Sequence, residues 1–376
     1  MIGEVGAVIA YMPILKAKAG ELDALSHLTA PSIEFRPVLE IVPPYNTDDL
    51  NGEGPVAKKR KNATSAREKL DKRLNQIAII IRDRLPAGLA PVIDTGHVDG
   101  LPHADDLWTT LMTTLAARLE PTPVRPAFRL TDPPAKLTRL AEISAELGEG
   151  GCLRLGTPDA DPDPKAAAST IRNVLAKIGL DVEQVDLLID MWEIKSVRDV
   201  SRAQGIASEV LAWSDQAPWR SVTLASGSFP ASLQGLPTDG ASALPRLDAQ
   251  LWKGVRNEKP ARVPDYGDYA IAHPALSTAG WPSNPNLRYA TAYEWQVYRK
   301  KFPKEAGNER FCLICRDLVE SEHFPSDNME RCWGDKQIAL RAHDRAEPGN
   351  ASKWRAFGTS RHLAVVIDRL ASQGEP

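Results

Sequence analysis

A repeating unit of local structure is the feature that most constrains how this chain of 376 residues can fold. Its first copy reads AVIAYMPILKAKAGE at 7–21, where an apolar run ends on Lys16 and a helical pattern begins at Gly20. An apolar strand, a polar residue at its carboxyl end, a short turn and a helix form the repeating half of a parallel α/β fold. We count eight copies along the chain, and eight is the number that closes a barrel. The sequence therefore predicts an α/β fold with a single TIM-like (β/α)8 barrel.

The predicted elements alternate over residues 7–275, which we assign to the barrel. Apolar runs predict strands at 7–16, 33–42, 90–95, 126–130, 151–155, 185–194, 219–229 and 266–273. Helical periodicity predicts helices at 20–28, 65–85, 105–119, 135–147, 165–178, 197–213 and 244–255. Further along, a strand is predicted at 287–299, helices at 308–319 and 359–370, and a loop around Trp333, Gly334 and Asp335. We interpret residues 285–372 as a decorated eighth unit of one domain that spans 1–376.

The composition argues against several classes of protein. A net charge of -3 and a pI near 6.2 provide no electrostatic basis for wholesale binding of nucleic acid or anionic membranes. Four cysteines are too few for a disulfide scaffold and favour a reducing compartment. The first residues lack a basic start and a small-residue cleavage site, and no window approaches the ~18 unbroken apolar residues of a membrane span. We therefore expect a cytoplasmic protein that does not enter a membrane.

One local patch is an exception to the weak overall charge. The long polar loop at 43–63 carries the basic run Lys58, Lys59, Arg60 and Lys61. Such a run is typical of a solvated loop, but it could also contact phosphates. Salt-dependent DNA binding that disappears when these four residues are neutralised would indicate a nucleic-acid partner.

Polar and charged side chains stand at the predicted carboxyl ends of the barrel strands. They are Lys16, Glu40, Asp94, Arg129, Arg154, Asp190, Ser226 or Ser228, and His273. Side chains at these ends converge on one face of a parallel barrel, which is where barrel enzymes carry their chemistry. Because buried charges are costly unless they are paired or used, the ring indicates either a functional site or a lattice of salt bridges that closes the barrel.

Several chemistries could be built from this ring. One is a metal-dependent phosphodiesterase, in which the three carboxylates and His273 act as metal ligands or acid and base groups, while the three cations and the serines hold a phosphorylated substrate. A Schiff base on Lys16 is a second possibility, although neighbouring carboxylates would hold the lysine protonated. The residues point to no particular cofactor.

Two groups of residues in the last hundred positions have possible binding roles. Cys312, Cys315, His323 and Cys332 are the ligand types of a zinc site, but FCLICRDLV has a helical apolar pattern and only one CxxC is present, which favours buried helix cysteines. The polar and aromatic clusters could cap the barrel mouth with a stacking surface and an anion contact, or could bury the last helix. They comprise Trp333, Asp335, Lys353, Trp354, Arg355, Arg361 and His362.

These residues also resemble those of a known family. The segments concerned are YMPILKAKAGE at 11–21, PVLEI at 37–41, VDLLID at 185–190, SFP at 228–230, YGDY at 266–269, HP at 273–274, WGD at 333–335, WR at 354–355 and RH at 361–362. In order and over nearly the whole chain they resemble the bacterial and phage-associated beta family. The resemblance implies a component of a defence-associated gene neighbourhood, often encoded beside a small nuclease-like partner.

Three functional hypotheses follow from the ring and the resemblance. The first is the sensing component of a two-component antiphage module that binds a ligand or a nuclease-like partner at the charged barrel mouth. The second is an enzyme, a hydrolase of a phosphorylated or nucleotide-like substrate. The third is an inactive barrel that serves as a scaffold for a partner. Fold alone cannot separate them.

Overall fold

The computed structural model describes residues 9–42, 66–86, 88–99, 111–115, 117, 123–276, 284–301, 308–325 and 332–376. The basic run at 58–61 lies outside the described residues, as does most of the helix predicted at 105–119, of which 111–115 are helical.

Eight parallel strands form the barrel. They are β1 (Ile14–Lys16), β2 (Val38–Glu40), β3 (Val92–Asp94), β4 (Arg125–Phe128), β5 (Gly151–Leu155), β6 (Val185–Glu193), β7 (Ser221–Gly227) and β9 (Asp265–Asp268). Each strand pairs with the next, and the segment just before β1 pairs with β9 through a parallel bridge between Tyr11 and Tyr266. The Met12 amide donates to the Tyr266 carbonyl at 2.8 Å across this seam. The predicted (β/α)8 architecture is confirmed.

Apolar side chains on the two faces of the strands form two layers of core. The inner layer fills the barrel with one side chain from most strands, among them Ile14, Val38, Val92, Cys152 and Leu188. Their neighbours along each strand point outward into a larger cluster beneath the helices. Burial on both faces explains why the strands read as continuous apolar runs rather than as an alternation of polar and apolar residues.

Helices cover the barrel and bury its outer core layer. They are α1 (Ala19–Ser26), α2 (Ala66–Arg84), α3 (Pro134–Leu147), α4 (Pro164–Ile178), α5 (Val197–Ser214), α6 (Leu247–Asn257) and, after two further helices, α9 (Ala351–Gln373). The two further helices, α7 (Arg310–Val319) and α8 (Trp333–Ala342), pack on each other and on the first turns of α9 in a separate apolar cluster. Helix α9 supplies the eighth barrel unit, because Leu363, Val366 and Leu370 join the outer core. It packs beside α1, whose Gly20 faces the Ser352 carbonyl.

Two insertions after barrel strands combine into a small antiparallel sheet, in the order β10 (Asn286–Ala290), β11 (Glu294–Arg299) and β8 (Gly240–Pro245). The prediction of one strand at 287–299 was wrong, because the chain turns at 291–293 and forms a hairpin. The prediction that α6 begins at Leu244 was also wrong, because Leu244 pairs with Trp295 in this sheet. The sheet follows the carboxyl ends of β7 and β9, so it lies on the mouth side of the barrel.

Three further boundaries differ from prediction. Strand β9 ends at Asp268 rather than His273, because the Asp268 carboxylate accepts the Ala270 amide at 2.9 Å and turns the chain. Trp333 and Asp335 lie in the first turn of α8 rather than in a loop, and the Asp335 amide donates to Cys332 Sγ. Helix α9 begins at residue 351 rather than 359, because the side chain of Asn350 caps its first turn.

The close contact between α1 and α9 gives a paired test of packing. A Cβ at Gly20 would lie 2.6 Å from the Ser352 carbonyl oxygen, so Gly20→Ala should lower the free energy of unfolding by about 1–3 kcal/mol. Gly205 is exposed within α5, and a Cβ added there would meet no atom within 4 Å. Gly205→Ala should therefore raise the free energy of unfolding by up to about 1 kcal/mol. Urea unfolding of both variants measures the two effects, and equal shifts would contradict the packing account.

Candidate functional site at the barrel mouth

Six charged side chains lie at the carboxyl end of the barrel, and their positions along the strands follow the same pattern. Each follows an inner-layer residue by two positions, and side chains two apart on a strand share a face. Lys16 thus follows Ile14, and Arg154 follows Cys152. The complete set comprises Lys16, Glu40, Asp94, Arg129, Arg154 and Asp190. Apart from Arg129, whose side chain is 19% exposed, these residues are buried.

Arg154 is the centre of the ring and joins three carboxylates. Its Nε and Nη2 donate to Asp190 Oδ2 at 2.9 and 2.7 Å, and its Nη1 donates to Glu40 Oε1 at 3.0 Å and to Asp94 Oδ2. Nη2 also donates to the hydroxyl of Tyr269, which in turn donates to Asp190 at 2.6 Å. These contacts account for all five N–H groups of a guanidinium. Arg154 therefore has no donor left for a phosphate.

Lys16, at the end of β1, is held by the segment that follows β9 and by Glu40 of β2. Its ammonium donates to the carbonyls of His273 and Pro274 at 2.9 and 3.0 Å and lies 3.5 Å from Glu40 Oε2. Burial lowers the pKa of Lys16, and the opposing attraction of Glu40 is the smaller effect. The expectation that neighbouring carboxylates hold Lys16 protonated stays a prediction.

Two carboxylates of the ring, Glu40 and Asp94, are held in their ionised form. Burial alone would raise the pKa of Glu40, but Lys16, His97 and Arg154 outweigh it and lower the pKa to about 2. Burial likewise opposes the ionisation of Asp94, yet Arg129 and Arg154 bring its pKa well below the ordinary range. Carboxyl groups with such pKa values are poor general acids near neutral pH.

The rim of the mouth carries partly exposed groups around this buried lattice. Arg129 forms a two-pronged pair with Asp94 at 3.0 and 2.7 Å and faces solvent on its other side. His97 lies 3.3 Å from Glu40, and His273 lies 2.9 Å from Glu193. The four rim side chains are between 13% and 21% exposed, so the rim is where another molecule could first contact the mouth.

A bulge at the end of β6 shapes one side of the rim. The register against β7 shifts between Asp190 and Glu193, and Trp192 adopts a left-handed φ of 54°. The Trp192 amide donates to Asp190 Oδ1 at 2.9 Å, which holds the half-buried indole beside Arg154 and Tyr269. Bulges and strained non-glycine backbone occur preferentially next to functional sites.

The remaining candidates lie away from the ring. Ser226 is buried in β7, and Ser228 bonds Asp248. Trp333 stacks on His27 with a ring separation of 4.1 Å. Asp335 is buried and accepts from Tyr289 and Arg361 at 3.1 and 3.0 Å. These contacts are internal to the fold and do not bring the serines, Trp333 or Asp335 to the mouth.

Arg355 and several residues outside the predicted set do adjoin the ring. Arg355 packs against Gly20 and acts on the pKa of Glu21, which burial raises. The additional residues at the mouth are Glu21, His97, Tyr269, Trp192 and Glu193. Glu21 stands in the segment at 11–21, His97 and Tyr269 follow strand ends by three and one positions, and Trp192 and Glu193 form the bulged end of β6. That position, at or just beyond the end of a strand, is the signal that could have identified them.

A second buried network ties the small sheet and α9 to the barrel. The Trp295 indole donates to His362 Nδ1 at 3.2 Å, and His362 Nε2 lies 2.7 Å from Asp268. The His362 imidazole thus bridges the indole of the small sheet and the Asp268 carboxylate of β9. Tyr11 and Tyr266 also donate to Asp268, at 2.7 and 3.0 Å. The clusters of the last hundred residues thus fasten α9 to the barrel.

The three cysteines of the possible zinc set lie within or at the start of packed helices. Cys315 is buried in α7, and Cys332 caps α8. Within the described ranges, no three histidine, cysteine or acidic side chains converge as a metal site would require. In the same part of the chain, no helix has the length and apolar character needed to cross a membrane.

The fold and the mouth define a TIM-like barrel whose carboxyl face is closed by a buried ion-pair lattice and rimmed by polar groups. The Beta protein family model matches residues 11–368, and the chain belongs to that family. No curated protein matches it. Among solved structures, the crystal structure of a GH18 chitinase from Pseudoalteromonas aurantia is similar with a TM-score of 0.35 and 11% identity, over 61% of this chain and 96% of that one.

Proposed function

We propose that the protein is the binding component of a bacterial antiphage defence module and engages a ligand or a partner protein at the barrel mouth. The observation that supports this most is the division of the mouth into a self-neutralised lattice and a partly exposed rim. The lattice provides a rigid base, and the rim provides groups of both signs for recognition. A small nuclease-like protein encoded nearby is the partner that the family resemblance favours.

A metal-dependent hydrolase is the second candidate, and the donor set argues against it. The three carboxylates that would bind a cation already share the guanidinium of Arg154, which supplies the compensating positive charge. A divalent ion at the same place would have to displace a buried arginine with five hydrogen bonds. The low pKa values of Glu40 and Asp94 also make these two carboxyl groups poor acid catalysts.

Protection of cells against phage tests the proposed binding role. Rim variants are preferable to lattice variants because they leave the buried ion pairs in place. When Arg129 is removed, Asp94 still pairs with Arg154. We expect Arg129→Ala and Glu193→Gln, in cells that also express the neighbouring gene, to reduce protection by about tenfold. Arg139→Ala, on the exposed face of α3, is the matched control and should protect fully. Full protection by both rim variants would contradict the role of the mouth.

A further inference from the structure

Two arginines on the mouth side of the barrel differ from those of the lattice. Arg129 and Arg154 each pair with a carboxylate at 3.0 Å or less. Arg288 of β10 and Arg355 of α9 are both partly exposed, and neither forms an ion pair with another described residue. Because a guanidinium stays charged in proteins, the described part of the chain leaves two positive charges there without a neutralising partner.

Packing brings these two arginines to the same place. A Cβ at Gly358 would lie 2.5 Å from the Arg288 carbonyl oxygen, so this face of α9 lies directly on β10. Arg355 precedes Gly358 by three positions and therefore shares that face. Its stem also packs on the start of α1, since a Cβ at Gly20 would lie 3.2 Å from Arg355 Cβ. Helix α1 follows β1 and β10 follows β9, so the arginine pair lies on the mouth side of the barrel.

The guanidinium of Arg288 is only partly engaged within the fold. Its carbon lies 4.2 Å from the centroid of the Phe229 ring, and Nη1 donates to the Ile271 carbonyl. Nε is buried without a partner, and Nη2 donates to no described residue. Burial and then the charge of Arg355 lower the pKa of Arg288 well below its ordinary value, and Glu21 opposes them. An anion between the two arginines would remove this cost.

Two other arginines show how the fold satisfies a lone guanidinium without a carboxylate. Arg299 Nη1 donates to the carbonyls of Leu233 and Leu236, and Arg341 Nη1 donates to the backbone and side-chain oxygens of Gln337. No second arginine lowers the pKa of either. Each of them therefore has two neutral acceptors and no neighbouring cation, and the arginine pair at the mouth has neither advantage.

The chemistry of the site favours a phosphoryl group. Guanidinium groups bind oxyanions through parallel N–H bonds, and a phosphoryl group has enough oxygens to accept from two guanidinium groups at once. Helix α1, whose N-cap residue Lys18 provides no side-chain cap, begins beside Arg355 and adds the favourable end of its dipole. Resting on the proposed function, we propose that Arg288 and Arg355 bind the phosphoryl group of a small ligand at the mouth, either as free phosphate or as a phosphate ester.

Calorimetry on the full chain with simple probes tests this inference. Inorganic phosphate, ribose 5-phosphate and adenosine 5′-monophosphate would be compared with acetate. We expect saturable binding of the phosphate-bearing probes and at least tenfold weaker binding of acetate. Equal affinities for the three phosphates would indicate free phosphate, and tighter binding of one ester would indicate a phosphorylated ligand. Acetate binding as tight as that of phosphate, or no binding of any phosphate, would overturn the inference.

Variants of the arginine pair locate the binding. Arg355→Ala and Arg288→Met should each lower the affinity for the tightest-binding probe by at least tenfold. Arg355→Lys keeps the charge but loses the fork, so it should recover only part of the affinity. Arg139→Ala on α3 removes an exposed arginine and should bind normally. Arg355 has no hydrogen bond within the described part of the chain, so its removal should leave the unfolding temperature near that of the wild type. A folded Arg355→Ala protein with unchanged affinity would overturn the inference.

Glu21 separates an anion site from an internal ion pair. It lies in the first turn of α1, and its charge acts on Arg288 while that of Arg355 acts on Glu21. A carboxylate so close to the arginine pair would repel a bound anion. Glu21→Gln should therefore raise the affinity for phosphate by about threefold to tenfold. A fall in affinity would mean that the two arginines serve Glu21, and it would overturn the inference.

The inference and the proposed function can fail separately. If no phosphate binds while Arg129→Ala and Glu193→Gln still lose phage protection, the mouth engages something else and the proposed function stands. If phosphate binds at Arg288 and Arg355 while the rim variants protect fully, the phosphoryl site is real and the defence role of the rim is contradicted.

Discussion

Replacing Arg154 with methionine is expected to lower the free energy of unfolding by about 3–5 kcal/mol, or to prevent folding altogether. The arginine is 2% exposed and is the shared partner of Glu40, Asp94 and Asp190. Methionine preserves much of the volume but leaves three buried carboxylates facing one another. Mutual repulsion and lost hydrogen bonds then act together, since a buried charge is most costly when its partner is removed.

Urea unfolding at neutral pH measures this effect against a matched substitution. Arg139→Met removes an arginine from a surface pair in which both side chains are more than two-fifths exposed, and it should change the free energy of unfolding by less than about 1 kcal/mol. A loss below about 1 kcal/mol for Arg154→Met would mean that the carboxylates find other partners or water. The lattice would then not be the structural base of the mouth.

Acid is expected to destabilise the protein steeply between about pH 4.5 and pH 2. The folded-state pKa of Glu40 is about 2 against an ordinary value of 4.5, so its ionisation contributes about 3 kcal/mol of stability. The folded-state pKa of Asp268 is also about 2, because His362 and Arg246 lower it against the effect of burial. Ionisation of Asp268 therefore contributes about 2 kcal/mol of stability.

The direction follows from where the protons bind. Between pH 4.5 and pH 2, Glu40 and Asp268 bind protons in the unfolded chain but stay ionised in the folded protein. Both contributions to stability are therefore fully present above pH 4.5 and are lost as the pH falls through 2. Glu21, whose pKa burial raises, acts in the opposite sense. Urea unfolding at pH 6 and pH 3 should show a clear fall for the wild type and a smaller fall for Glu40→Gln. Equal unfolding free energies at the two pH values would contradict the ion-pair account.

The barrel could be predicted from the sequence because each buried apolar strand ends in a polar residue that is followed by a turn. This pattern placed Lys16, Glu40 and Asp94 correctly at strand ends, and Asp190 just before the bulge that ends β6. It could not show that Arg154 spans three of the carboxylates, since pairing across a barrel depends on strand stagger rather than on sequence spacing.

The small sheet was missed for a different reason. Strand β8 reads GASALP, with little of the β-branched and aromatic character that marks a strand, and it is held by pairing with β11. The displacement of His273 from a strand end depends on the turn that Asp268 makes with its own side chain. Tertiary pairing and local side-chain bonds of this kind leave little trace in hydrophobic periodicity.

The two sides of the barrel seam are synthesised at different times. Ala10 and Asp265, which hydrogen-bond across the seam, are 255 positions apart. At about 5–20 residues per second, the first strand is therefore made roughly 10–50 s before the strand with which it closes the barrel. Helix α9, which covers α1, emerges later still. Throughout that interval the unpaired edge of the first strand remains open to other chains. The nascent protein is therefore expected to depend on holding chaperones until its last helix has left the ribosome.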